Sequence, residues 1–144
     1  MTSSDPAEYE IDDDPRRVDV DAVWRFLSTE AYWNRWRTRD DVEAQVRGAW
    51  RVVGAYETHS GDTVGFARSF SDGVSDAYLG DVFVLPGHRG RGLSQRLLAA
   101  MIDEGPGAHL RWFLVTSDAH GLYRQFGFDS PDERVMVRQP RRRD

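Results

Sequence analysis

The sequence predicts one α+β domain built around a mixed sheet, and three observations carry that expectation. The chain has 144 residues, the length of a single domain. The runs WRVVGAYET (50–58) and TVGFARSF (63–70) flank the turn HSGD, which makes them an antiparallel pair. RWFLVTS (111–117) follows a strand–loop–helix unit and has the continuous apolar character of a buried parallel partner.

The elements follow in order. Residues 1–7 read as a disordered tail, residues 8–140 as the single domain, and residues 141–144 as a basic tail. YEID (9–12) is a short strand. Asp19 or Asp21 caps a helix running to about Trp36, with Val23, Phe26, Leu27 and Ala31 on its apolar face. Thr38 or Asp40 caps a second helix carrying Val42 and Val46. After the hairpin, AYLGDVFVL (77–85) is a strong strand ended by Pro86 and Gly87. A helix over 93–104 places Leu93, Leu97, Leu98, Met101 and Ile102 on one face, and GPG breaks it. Asp118 caps a short helix, AHGLYRQF, that stops at Gly127, and ERVMVRQ (133–139) is a last strand.

Composition excludes several chemistries. There is no cysteine, hence no disulfide, thiolate metal site or cysteine acyl carrier. All 19 basic residues are arginine, which removes Schiff-base chemistry and the lysine of a P-loop. Four scattered histidines and no HExxH motif argue against a histidine metal site, and metal catalysis by carboxylates alone has no motif behind it. A net charge of −5 argues against nucleic acid as a partner. No apolar run reaches the ~20 residues of a membrane span, and the acidic N-terminus carries no apolar leader. The expected location is the cytoplasm.

The central feature is DVFVLPGHRGRGLSQRLLAAM: strand, short loop with two glycines, helix. The first amides of a helix lack intrahelical partners and sit at the positive end of its dipole, so phosphate oxygens satisfy several at once. Gly90 and Gly92 allow a sharp turn and close backbone approach. Arg89 and Arg91 add charge within reach of phosphate. A Walker loop fails because Leu93 follows Gly92. A dinucleotide fingerprint fails because its third glycine is Gln95. The residues alone leave a diphosphate cradle and a plain tight turn both open.

VFVLPGHRGRGLSQRLL resembles the first motif of the GNAT superfamily of N-acetyltransferases, an apolar strand followed by [Q/R]xxGx[G/A] opening a helix. Arg89 and Gly92 match, and Ser94 stands where the family carries Gly or Ala. TSDAHGLYRQFGF resembles the second motif through Ala119, Tyr123, Gly127 and Phe128, with Thr116 where the family often has asparagine. The two motifs span about 82–128.

The resemblance implies a mostly antiparallel mixed sheet with helices on both faces. It also implies acetyl-CoA as cosubstrate without a metal, and an amine acceptor attacked directly in a ternary complex. The acceptor would be a small molecule or amino-acid-like. The diphosphate would lie on His88, Arg89, Gly90, Arg91, Gly92, Leu93 and Ser94. The pantetheine arm would meet the backbone of Phe83 and Val84, with Thr116 nearby. Tyr123 matches the tyrosine that protonates the departing thiolate; its free pKa near ~10 keeps it protonated at neutral pH.

Asp81 is the leading candidate for base or ammonium anchor, since a carboxylate within a strand is costly to bury without a partner. Asp76, His120 and a backbone-held water are the others. Trp33 or Trp36, with Tyr78, are candidate acceptor contacts, and Arg35 or Arg37 a candidate partner for a substrate carboxylate. A strand edge near the C-terminus permits a homodimer. The alternative function is a CoA-binding sensor or regulatory domain without catalysis.

Overall fold

The structure is a computed structural model that describes residues 8–141. The tail expected at 1–7 lies outside the described residues, as does the tail expected at 141–144 apart from Arg141, which is exposed. Five strands form one sheet in sequence order: β1 (Tyr9–Asp12), β2 (Arg51–Glu57), β3 (Thr63–Ser71), β4 (Asp76–Val84) and β5 (Arg111–Phe113). Every pairing is antiparallel except β4 with β5. Helices α1 (Val20–Thr29) and α2 (Arg39–Gly48) cover one face, burying Val23, Phe26, Val42 and Val46 against Val52, Phe66 and Phe83. Helix α3 (Leu93–Leu98) covers the other with Leu93, Leu97 and Leu98 against Val53, Val64, Ala67 and Leu79. The short α4 (His120–Arg124) packs beside it through Leu122 and Tyr123. Helices on both faces of a mixed, mostly antiparallel sheet is the predicted architecture.

Caps fix the helix starts. The Asp19 carboxylate accepts from the Ala22 amide at the head of α1. At α2, Thr38 Oγ1 accepts from the Asp41 amide while the Asp41 carboxylate accepts from the Thr38 amide, a reciprocal capping box. Thr38→Ala should therefore cost about 1 kcal/mol, read as a lower midpoint in urea with unchanged slope.

Four expectations are corrected. Helix α1 stops at Thr29 rather than near Trp36. The hydroxyls of Ser28 and Thr29 turn back onto the Arg25 carbonyl, and Arg35 donates to the carbonyls of Ser28 and Thr29, closing the helix end. The 93–104 helix is α only to Leu98 and widens to a π turn over Ala99–Asp103. There Arg51 inserts its guanidinium and donates to the carbonyls of Ala100 and Met101. Strand β5 is three residues, Arg111 exposed and Trp112 and Phe113 half-buried, not a buried seven. Residues 133–139 form no strand; Val135, Met136 and Val137 are exposed, because alternation makes a strand only where an edge accepts it.

One irregularity positions the site. Register runs Phe66↔Phe83 and then Arg68↔Gly80, so Asp81 and Val82 together oppose Ala67. This is a β-bulge, a device that bends a strand and re-aims a side chain. Asp81 carries it at φ 51°, uncommon for a non-glycine residue. Beyond Tyr78↔Phe113 no pairing joins β4 to β5, and the two strands part.

Candidate active site

The parting of β4 and β5 opens a cleft of about 380 Å³ lined by 78–82 on one side and 114–119 on the other. Trp33 and Arg68 lie at its base, Tyr32 at its rim, and Tyr123 reaches in from α4. Tyr32 Oη donates to the Asp118 carboxylate at 3.2 Å and accepts from Ser117 Oγ at 2.8 Å. It thereby ties the α1–α2 connection to the β5–α4 connection across the opening.

Asp81 is buried at the cleft floor. Its Oδ1 accepts from Trp33 Nε1 at 2.7 Å and Arg37 Nη2 at 3.0 Å. Its Oδ2 accepts from Arg37 Nη1 at 2.7 Å and Arg68 Nε at 2.6 Å. Burial pushes its pKa up, but the hydrogen bonds and charges of Arg37 and Arg68 outweigh burial and hold it below the ordinary value. A carboxylate with both oxygens doubly engaged is a poor proton acceptor near neutrality.

The other candidate bases sit elsewhere. Asp76 is exposed and paired with Arg111, and it lines a separate depression with Phe70 and Phe113. His120 is exposed at the start of α4 and lines a neighbouring pocket.

Tyr123 is half-buried, its ring edge-on to Phe128. Its hydroxyl donates to no protein atom among the described residues and is free to meet a ligand. Burial, with the negative potential of Tyr32 and Asp118, pushes its pKa up to about 12. Thr116 Oγ1 accepts from the amides of Asp118 and Ala119, so Thr116, and not Asp118, organises the start of α4. Trp33 and Tyr78 both line the cleft, Tyr78 stacked on Phe70 at 4.8 Å.

At the far end of the cleft lies the glycine loop, bordering a hollow of about 470 Å³ with Val84, Ser94 and Leu122. Gly90 and Gly92 adopt φ 77° and 75°, a left-handed conformation that glycine takes without a Cβ penalty. A Cβ at either would meet no protein atom within 4 Å, so the chain leaves the space before the loop open. The first amides of α3 lack intrahelical partners and border that space, as a phosphate site requires. His88 Nδ1 lies 2.9 Å from Tyr9 Oη, which anchors the loop to β1. Arg91 is paired with Glu8.

One of the two expected strand contacts needs revision. Leu85 N–H donates to the Val64 carbonyl; by antiparallel alternation Phe83 then turns its N–H and C=O to Phe66. Its ring stacks on Phe26 at 4.1 Å, so Phe83 offers the cleft nothing. Val84 turns to the open edge, and Arg89 Nε donates to its carbonyl at 3.0 Å. Arg68, Gly80 and Tyr32 were not anticipated. The available signal was a lone arginine in one apolar strand of a hairpin-linked set facing a lone aspartate in the next.

The acetyltransferase (GNAT) family model matches residues 9–128. A crystal structure of a GNAT-family protein from Xanthomonas campestris pv. campestris is 36% identical with a TM-score of 0.84, covering 92% of this chain and 93% of that one. A Gibberella zeae protein provisionally named an acetyltransferase is 29% identical over 133 residues, 85% of this chain and 75% of its own. A Deinococcus radiodurans protein at 20% identity shares the fold with a TM-score of 0.71, covering 96% of this chain and 94% of its own.

Proposed function

From a chain that belongs to the acetyltransferase (GNAT) family, an acyltransferase family whose cosubstrate is acetyl-CoA, we propose the following reaction. The acetyl group passes from acetyl-CoA to a primary amine by direct attack within a ternary complex, in the cytoplasm. The observation that carries this reading is the split between β4 and β5, with the glycine loop at one end and the uncommitted Tyr123 hydroxyl inside. No helix among the described residues is long and apolar enough to cross a membrane. No group of acidic and histidine side chains there is arranged to hold a metal.

The diphosphate rests on the amides of 90–95, with Arg89 and Arg91 at its flanks. The pantetheine arm lies along the open edge of β4 and meets Val84 rather than Phe83. The amine nitrogen attacks the thioester carbonyl carbon, the new C–N bond forms, and the C–S bond breaks with its electron pair on sulfur. A free thiol has a pKa of ~8.5, well below the value of about 12 at Tyr123. Full proton transfer to the thiolate is therefore uphill. Tyr123 acts by donating a hydrogen bond to the sulfur as charge develops, and solvent supplies the proton afterwards. The amine proton leaves through the cleft mouth to water. Asp81 is reassigned from base to positioning residue, holding Trp33, Arg37 and Arg68 in place.

Acetyl-CoA at a hundredfold excess over its dissociation constant should stabilise the protein by about 2.7 kcal/mol, raising its melting temperature, while ATP and NAD at equal concentration should not. No shift with acetyl-CoA, or an equal shift with ATP, would refute the cradle assignment.

A further inference from the structure

The Arg37–Asp81–Arg68 cluster carries two positive charges and one negative, with side chains only 1%, 3% and 10% exposed in that order. Asp81, held below its ordinary pKa, stays ionised and offsets one guanidinium only. The two arginines differ in what they have left to give. Arg37 has four of its five donors engaged: Nε donates to the Asn34 carbonyl, Nη1 to Gln45 and Asp81, and Nη2 to Asp81. Arg68 gives Asp81 its Nε alone, and its two terminal nitrogens meet no acceptor among the described residues.

Those nitrogens are not sealed in the core, because the buried side-chain nitrogen left without a partner there belongs to Arg96. They open on the cleft, which Arg68 lines with Tyr78 and Gly80. Gly80 makes the opening. A Cβ on it would sit 3.5 Å from Arg68 Nη2 and 3.6 Å from its Cζ, in the space a ligand needs to approach the guanidinium. The other acids lining the cleft are Asp81 and Asp118, and Asp118 is engaged by Tyr32. A nearly buried cation with a free planar fork, whose one bonded acid Asp81 is shared with Arg37, calls for an anion from the ligand.

Resting on the acyl-transfer reading above, we propose that the acceptor amine carries its own carboxylate, and that Arg68 receives it in the cleft across Gly80. The two-nitrogen fork matches a carboxylate in one plane, and a cleft of about 380 Å³ suits an acceptor of amino-acid size. Arg35 and Arg37, the arginines expected from sequence to do this, are otherwise engaged: Arg35 closes α1, and Arg37 is committed to Asn34, Gln45 and Asp81.

The test compares acetylation of the common amino acids with that of their decarboxylated amines at saturating acetyl-CoA. The preferred amino acid should exceed its decarboxylated partner in kcat/KM by about 10²-fold or more, the cost of taking away one partner of a hydrogen-bonded charge pair. Arg68→Lys keeps the charge but loses the fork, and should cut that ratio about tenfold; Arg68→Gln should bring it close to one. Gly80→Ala leaves every bond to Asp81 in place and should lower the ratio in the same direction. Retained thermal stabilisation by acetyl-CoA shows that each variant is folded.

Equal rates across the matched pairs, a ratio untouched by Arg68→Gln and Gly80→Ala, or a preference for aminoalkyl phosphates over amino acids would each overturn the assignment. Acetylation of no amine, with acetyl-CoA still bound, would instead remove the acyl-transfer reading itself, and this inference with it.

Discussion

Tyr123→Phe should lower kcat for amine acetylation by about 10²–10³-fold, the usual cost of deleting one preorganised donor to a developing anion. Acetyl-CoA affinity should change by less than about twofold, because the hydroxyl acts on the charge of the transition state and the ring remains to pack on Phe128. The pH profile sharpens the test. Tyr123 is active while protonated, and a pKa of about 12 keeps it so across the accessible range. The amine is active while neutral. kcat/KM should therefore rise with pH as the ammonium loses its proton, with no descending limb from Tyr123 below about 12. A merely structural tyrosine would lower the melting temperature in the phenylalanine variant and leave kcat intact.

The second large effect is on stability. Asp81→Asn removes the charge that pairs Arg37 and Arg68 while keeping its size. Breaking a buried pair from one side costs about 3–5 kcal/mol, because the remaining charges stay buried without compensation. For a chain of this length that lowers the melting temperature by on the order of 10 °C.

The sign with pH follows from the depressed pKa of Asp81, whose ordinary value is 3.8. A carboxylate held lower in the folded state stabilises fully above 3.8, and that contribution is lost as pH falls through its folded pKa. Wild-type stability should fall more steeply than that of the asparagine variant as acid is added below about pH 4. Parallel curves would mean that Asp81 contributes no linked stability.

The β2–β3 hairpin, β4 and the glycine loop were legible because their signals are local. Alternation and turn residues define the β2–β3 hairpin, and the Gly90–Gly92 spacing marks the loop whatever surrounds it. Asp81 shows where locality ends. Its place inside an apolar strand declared it unusual, but the bulge that turns it toward Arg37 and Arg68 comes from pairing with β3, which no window around residue 81 contains. The same holds for Phe83, whose peptide faces β3 because of register. The overlong α1 and the missing strand at 133–139 share one cause. Apolar periodicity reports a face able to pack, whereas the end of an element depends on whether Arg35 caps it or an edge receives it. Arg68 was overlooked because an arginine in a strand ordinarily reads as solvent-facing.

The central claim, acetyl transfer in the β4–β5 cleft, is tested most directly by incubating the protein with acetyl-CoA and a panel of primary amines. Free thiol and acetylated product are then measured together. The account predicts one thiol released per amide formed, for amines bearing a carboxylate first, with the rate collapsing in Tyr123→Phe. Tight acetyl-CoA binding with no amide formed across the panel would contradict it and leave a CoA-binding domain without catalysis.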